Sequence, residues 1–386
     1  MTSERNQKSK GIAFKLAVLI TFIAGVVFAV LFAFRGDTEA TFKWEQLKPG
    51  KILDALKEEH NVIAESSFLF ENLSIVGSGT YMDHLLLMTD SDIRLMNSKG
   101  EELWYYTHEI RKPVLHISGR WVLVYEQTGK NYLVIRDGKL LRKDKLEAEI
   151  AFGAITDNAL MFITTNDAGY RRAIHTVSTD NNIKIGTLYI DDYYPFYAKS
   201  THEGENEYFI LYGLGMNTNQ VTTIIRQYRS TLESNPVTSI ELEGLYPIML
   251  DAGQRHLFIG ENAAQCYDHG LELLWSHHFE TELYAAGLFE NGRTVFAVEN
   301  SLLFFDEYGR ETKRIEIENR VDSIEIYQNK AAVISGTEAT FYDASGNLTD
   351  VFIQAGLTLK VHFVDTKRFF LLSEHEAVLH TFSKRQ

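Results

Sequence analysis

The stretch LYAAGLFENGRTVFAVENSLLFFDEYGRETKRIEIEN, residues 283–319, decides the fold. It reads as four short strands, LYAAGLF, TVFAV, SLLFFD and the polar KRIEIE, separated by turns at Glu290 to Gly292, at Glu299 and Asn300, and at DEYG. Apolar runs of five to seven residues bounded by Asn, Asp and Gly are strands joined by tight turns. Four of them in so short a stretch have the length and content of one β-propeller blade.

Similar units precede and follow it. HLLLMT, IRLMN and ELWYY belong to a first blade; PVLHIS, WVLVYE, YLVIRD and LLRKDKL to a second; ALMFITT, YRRAIHTV and IKIGTLYI to most of a third. A fourth, from about Tyr194 to Glu243, is enlarged: THEGENE separates its first two strands, and GLGMNTNQ precedes the long strand VTTIIRQYR. YPIMLD, HLFIGE and LELLW form the fifth, and DSIEIY, AAVISG and ATFYDASG the seventh. LKVHFVD, RFFLLSE and AVLHTFS then give only three strands before the chain stops. An open blade edge invites aggregation, so the ring has to be closed from its other end. The leftover run VIAESSFL, Val62–Leu69, is the expected outer strand of that last blade. The expected fold is all-β, an eight-bladed propeller over residues 62–386, or seven-bladed if residues 72–82 supply no inner strand.

Residues 1–15 are polar and basic, a cytoplasmic tail, and residues 16–34, LAVLITFIAGVVFAVLFAF, carry no charge. At about 1.5 Å per residue that run spans a hydrocarbon core as a transmembrane helix. It is longer than a signal-peptide apolar region and ends at Phe34-Arg35 without a small-residue cleavage site, so an uncleaved anchor is expected. A buried core helix is the alternative reading. Arg5, Lys8, Lys10 and Lys15 are dense and nearly acid-free, whereas Arg35, Lys43, Lys48 and Lys51 are interspersed with acids. A single-pass protein of the cytoplasmic membrane follows, N-terminus cytoplasmic and C-terminal domain extracytoplasmic. Residues 35–61 form a tether, with a short helix in KILDALKEEH that packs its apolar edge on the propeller; a membrane-surface or partner-binding helix is the alternative reading.

The net charge is −14, and beyond residue 35 the chain carries 33 basic against 51 acidic side chains. Such a surface repels nucleic acid and anionic lipid. The single cysteine, Cys266, excludes an intrachain disulfide and any CxxC motif, and reads as a small buried hydrophobe. No GxSxG, Walker A, HExxH or GxGxxG occurs. His277 and His278 are adjacent on a strand and point to opposite faces, so they do not share an ion. His362, His375 and His380 have no acid or cysteine at ligand spacing, and Asp191-Asp192 and TDNN at residues 179–182 lack the ordered oxygens of a calcium loop. No metal, cofactor or catalytic site is expected.

NSKGEELWYY at residues 97–106 and YDHGLELLWSH at residues 267–277 resemble the repeat of quinoprotein-like propellers, in which a turn glycine precedes a strand-ending Trp. The resemblance implies that this Trp packs between neighbouring blades. Trp104 follows Gly100 by four residues as the pattern asks, while Trp275 follows Gly270 by five. A basic anchor followed by such a propeller also resembles an uncharacterised family of membrane-anchored proteins from Gram-positive bacteria. In general form it is similar to the propeller lipoprotein of outer-membrane assembly, although no lipobox cysteine follows the apolar run. These resemblances imply a non-enzymatic surface scaffold. They do not imply bound quinone, since those enzymes need a metal-coordinating acidic cluster and a vicinal disulfide.

In a four-stranded antiparallel blade, the loops joining strands two to three and blade to blade share one side, here the loop side, and the remaining turns share the other. NSKG, RDG, TDNN, DHG, DEYG and DASG fall on the turn side. The loop side carries GLGMNTNQ and, at blade entries judged equivalent, Tyr194, Tyr246 and Tyr284 as candidate binding residues, with packing between blades as the alternative for each. The expected function is a non-catalytic protein-interaction scaffold at the cell envelope. An extracellular ligand sensor is the alternative, and a propeller enzyme with an unrecognised site comes third.

Overall fold

The computed structural model describes residues 62–69 and 74–382, apart from residues 157–158, 180, 204–205, 216–219, 230–231, 233–234, 253 and 354–356. The apolar run 16–34, the tether and its helix, and the middle of GLGMNTNQ lie outside the described residues. Among the described residues, 32 strands pair into eight four-stranded antiparallel sheets. Seven sheets use strands consecutive in sequence: blades 1 to 7, at residues 75–107, 113–145, 149–190, 193–243, 248–278, 283–316 and 323–353. Blade 8 joins Thr358–Phe363, Arg368–Ser373 and Glu376–Phe382 to Val62–Leu69, which pairs with Val62 opposite Phe382 and Leu69 opposite Glu376. The protein is an eight-bladed β-propeller. The count is eight because Ile75–Tyr81 is the inner strand of blade 1.

Position within the blade explains each strand's composition. The two middle strands are covered by neighbouring blades on both faces, so WVLVYE is buried but for its last residue and TVFAV and SLLFF throughout. Outer strands such as KLLRKDK alternate between exposed and half-buried. The core lies in the seams: Trp121, Leu123 and Tyr125 of blade 2 pack on Ile150, Leu160 and Phe162 of blade 3, and Val295, Ala297 and Phe304 of blade 6 on Ala331 and Val333 of blade 7.

In blades 1, 5, 6 and 7 the turn before the outer strand is built by its first residue. Oδ1 of Asn97, Asp268, Asp306 and Asp343 accepts the backbone N–H four residues on, at 2.9, 2.8, 2.9 and 2.9 Å. A left-handed residue follows at Gly100, Gly309 and Gly346, with φ of 78°, 76° and 76°. In blade 5 that place is taken by Leu271, φ 63°, one position after Gly270. Counted from the left-handed residue, Trp275 stands at the same distance as Trp104, so the apparent extra residue in YDHGLELLW is a displaced glycine.

Both tryptophans sit on the next blade's turn. A Cβ at Gly138 of blade 2 would lie 2.9 Å from Trp104 Nε1, and one at Gly309 of blade 6 would lie 2.6 Å from the Trp275 ring. Tyr106 Oη donates to the Gly138 carbonyl at 2.9 Å, and the Gly138 N–H donates to Tyr81 Oη at 3.1 Å. Blade 4 departs from the expectation: the strands reach into THEGENE from both sides, Tyr193–Glu203 and Asn206–Gly215 pairing as far as Glu203 opposite Asn206. Polar residues continue the ladder there because main-chain pairing is indifferent to side-chain polarity.

Two outcomes are expected. Deleting Val62–Leu69 bares the edge of Glu376–Phe382, so the variant melts lower and oligomerises by light scattering, whereas a cut before residue 62 does neither; equal melting of the two would refute closure by this strand. Gly138→Ala, placed in a left-handed conformation and against Trp104, costs about 1–3 kcal/mol by urea unfolding.

Candidate functional site

The inner strands bear bulges on which the placement of the candidate tyrosines turns. The pairing skips between Pro195 and Tyr197 in blade 4 and between Leu283 and Ala285 in blade 6, so the bulged residues are Phe196 and Tyr284. Tyr194 lies before its bulge, opposite Leu214, and Tyr246 precedes the inner strand Ile248–Ala252. The three tyrosines therefore do not occupy equivalent blade positions. Tyr246 is only 5% exposed, packs with Met249, Phe258 and Tyr267, and accepts a 2.8 Å hydrogen bond from Gln265 Nε2, so its ring fills a seam. Tyr194 and Tyr284 are half-buried, each under an arginine: the Arg172 guanidinium carbon is 3.8 Å from the centre of the Tyr194 ring, and that of Arg320 is 4.3 Å from Tyr284.

These pairs stand on the loop side among other groups that the sequence did not single out. Val221, Leu245 and Ile248 are exposed at the loops of blades 4 and 5. Beside them a cavity of about 220 Å³ is lined by Ile248, Ile259, Leu283, Tyr284 and Ile324, with Asp322 and Ser323 at its margin. In blade 4, Asp192 holds Arg226 by both carboxylate oxygens, and the Arg226 guanidinium lies 4.5 Å from the ring centre of the buried Tyr193. Asp192 is thus an ion-pair partner of arginine; the Arg226 hydrogen bonds, opposed by burial, hold its carboxyl below the usual range.

A second cavity, of about 440 Å³, opens among the inner strands of blades 4 to 7, lined in part by Lys199, Asp251, Glu290, Tyr327 and Gln328. Lys199 Nζ is 3.2 Å from Asp251 Oδ2, and Nδ1 of the fully buried His256 is 2.9 Å from Oδ1. Burial would raise the Asp251 carboxyl, but His256 and Lys199 together hold it below its ordinary value. Inner strands elsewhere carry His116, Glu325, Lys360 and His362, the last joined to Ser78 Oγ at 2.9 Å across the blade 8 to blade 1 seam. Burial raises the Glu325 carboxyl against the opposing Lys360 charge. The inner strands mix lysines with acids, and among the described residues no group of three or more His, Cys, Asp or Glu converges as metal donors. A larger cavity of about 690 Å³ lies away from the inner strands, at the seam of blades 1 and 2 beside His108, Tyr132 and Lys143.

The remaining candidates fall apart as their spacing suggests. His277 contacts Phe279 and Phe305 at ring distances of 4.6 and 4.8 Å, while His278 meets Asn262. His380 is 1% exposed, between Phe352 and Phe369, and His375 is on an exposed turn. Cys266 is buried, and burial pushes its thiol up to about 11.

A closed eight-bladed ring with an irregular loop face and a polar central cavity is an architecture on which unrelated activities are hosted. Residues 57–376 match DUF5711, a family of unknown function, and the chain belongs to it. No curated protein sequence matches the chain. Solved propellers share its fold. BamB from Moraxella catarrhalis superposes with a TM-score of 0.58 at 10% identity, over 83% of this chain and all of that one. Sqt1 from Saccharomyces cerevisiae gives 0.63 at 11%, over 83% and 99%. BBS1N, solved in complex with ARL6DN, gives 0.50 at 10%, over 84% and 97%. At these identities the likeness is one of fold.

Burial drives His116, His362 and His380 down to about 4, with Lys199 and Lys360 adding to the effect at the first two. Their ordinary value, near 6.5, applies in the unfolded chain, so the unfolded state takes up protons first as pH falls. The stability held by the neutral rings is complete above about pH 6.5 and is lost toward pH 4, about 2 kcal/mol per ring by pH 5. The melting temperature is expected to drop between pH 7.5 and pH 5, and less steeply in His380→Phe. An unchanged slope in that variant would count against a neutral His380.

Proposed function

We propose that this protein is a membrane-anchored, extracytoplasmic propeller that captures a protein partner on its loop side and catalyses no reaction. The observation that carries the reading is the loop face of blades 3 to 6. There two arginine–tyrosine stacks, Arg172 with Tyr194 and Arg320 with Tyr284, share a face with exposed Val221, Leu245 and Ile248 and with the apolar cavity beside Tyr284. Tyrosine and arginine around an apolar centre is the composition of protein interfaces. BBS1N, of the same fold, is solved with a protein bound.

The direction of entry supports the arrangement. Val62–Leu69 runs antiparallel to Glu376–Phe382, whose far end precedes the C-terminus, so residue 62 lies on the turn side. With residues 16–34 as the anchor, the turn side faces the bilayer and the loop face is presented outward. The alternative, a small-ligand sensor, draws on the cavity at Lys199 and Asp251.

Two tests follow. In crosslinking from intact membranes, Tyr194→Ala with Tyr284→Ala is expected to lower partner yield about tenfold, with melting little changed because both rings are half-exposed; Tyr246 is left alone because its loss opens a cavity. Full capture by this variant, with loss on altering Tyr308 on the turn side, would reverse the faces. Because Cys266 is buried and inert, Leu245→Cys supplies a single reactive thiol. An impermeant maleimide is expected to label it on whole cells, and labelling only after lysis would place the domain inside.

A further inference from the structure

Among the described residues Arg172 is the only buried arginine, 8% exposed, and it reaches no carboxylate. Its Nη2 donates to Tyr194 Oη, its Nη1 to the Arg171 carbonyl at 3.3 Å, and its Nε, shielded from solvent, makes no hydrogen bond. The more exposed arginines Arg94, Arg226, Arg314 and Arg368 each hold an aspartate or glutamate. Asp192 is held by Arg226, and Asp167 by His175 and Thr164. In a chain with 52 acidic residues, a buried guanidinium left with a phenol and a carbonyl is an unbalanced charge. Burial accordingly disfavours its charged form.

The geometry points to Arg172 as the receptor for a carboxylate of the protein partner, presented by an acidic segment that enters the loop side of the seam between blades 3 and 4. The edge formed by Nε and Nη2 is the side-on fork that a carboxylate takes with two parallel hydrogen bonds. One of those donors now holds only the neutral Tyr194 hydroxyl, and the other holds nothing. Two bonds to an anionic acceptor in place of one to a neutral hydroxyl favour exchange, with the half-exposed Tyr194 ring turning aside and the carboxylate balancing the charge. Ile174, on the same strand and the same face, packs with Tyr193 and Phe209 of blade 4, so the guanidinium is held at this seam by rigid neighbours. This inference rests on the loop-face reading and names the chemistry of the partner.

The test uses the full chain in neutral detergent and a fluorescein-labelled octaglutamate peptide followed by anisotropy. Arg172→Met is expected to weaken peptide binding by about tenfold or more while the melting temperature holds or rises, because a buried unpaired charge has been removed. Tyr194→Phe keeps the ring, removes the competing hydroxyl, and is expected to tighten binding. Peptide bound equally by wild type and Arg172→Met, or a Tyr194→Phe variant that binds more weakly, would overturn the assignment. Inorganic phosphate that binds through Arg172 where the peptide does not would also overturn it, in favour of a phosphate site. If the peptide fails while Tyr194 and Tyr284 still govern capture from membranes, only this inference falls. If the peptide binds through Arg172 while capture ignores the loop face, the carboxylate site stands and the partner reading falls.

Discussion

One pairing, Val62–Leu69 against Glu376–Phe382, is the contact on which the remaining structure depends. A propeller blade buries its middle strands only between two neighbours, so each seam presupposes the next and the ring has meaning only when it is closed. The closing ladder is reinforced at its turn-side end, where Phe382 packs on Phe341 and Phe369 at ring distances of 5.0 and 4.9 Å and Lys330 Nζ lies 3.3 Å from its ring centre. Residues more than 300 apart in sequence thus complete one sheet, a non-local contact with a high loop-closure cost before any gain. The same pairing fixes polarity: since a closing strand must run antiparallel to its neighbour, the side from which the N-terminal segment enters is set by the ladder.

Within the ring, cohesion between blades is carried by a contact small enough to be encoded in short motifs. An aromatic ring at one blade's outer edge needs a flat place to rest, and the left-handed glycine of the next turn offers a backbone with no Cβ. Trp104 on Gly138 and Trp275 on Gly309 are two instances; at Gly346 the outer-strand place is taken by Lys313, beside Phe304 of the middle strand. This is why the turns were legible as a repeat even where the tryptophan was replaced. It is also why Leu271, left-handed without being glycine, hid the regularity of blade 5: the conformation is repeated there, but the residue that advertises it has moved by one.

Strands and their order were readable because burial on two faces forces apolar runs and turns force Asp, Asn and Gly, both of which survive in composition. Side-chain direction was not readable at the inner strands. A bulge inserts one residue and reverses the alternation beyond it, so Tyr284 stands at the bulge that Phe196 occupies in blade 4, and Tyr194 and Tyr246 fall elsewhere. Nothing in LYAAGL or YYPFYA announces the extra residue. The arginine partners of Tyr194 and Tyr284 were hidden for a different reason: Arg172 comes from the preceding blade and Arg320 from the connection to the following one, so each pair exists only across a seam. The grouping of Lys199, Asp251 and His256 was hidden likewise, since it draws on two blades.

The two sides of the ring are under unequal constraint, and that asymmetry bears on where recognition can reside. On the turn side the side chains of Asn97, Asp268, Asp306 and Asp343 are consumed by their own backbone, and the glycines are consumed by the neighbouring ring. A residue spent in this way cannot be altered for a partner without loosening a seam. On the loop side, successive blades are joined by connections of different length and composition, from Asp191-Asp192 to Ile317 through Asp322. On this side Leu245 and Val221 are exposed, and Arg172 is left with a phenol at no cost to the Asn/Asp turns. A surface that the fold does not need is the one on which binding chemistry can be assembled.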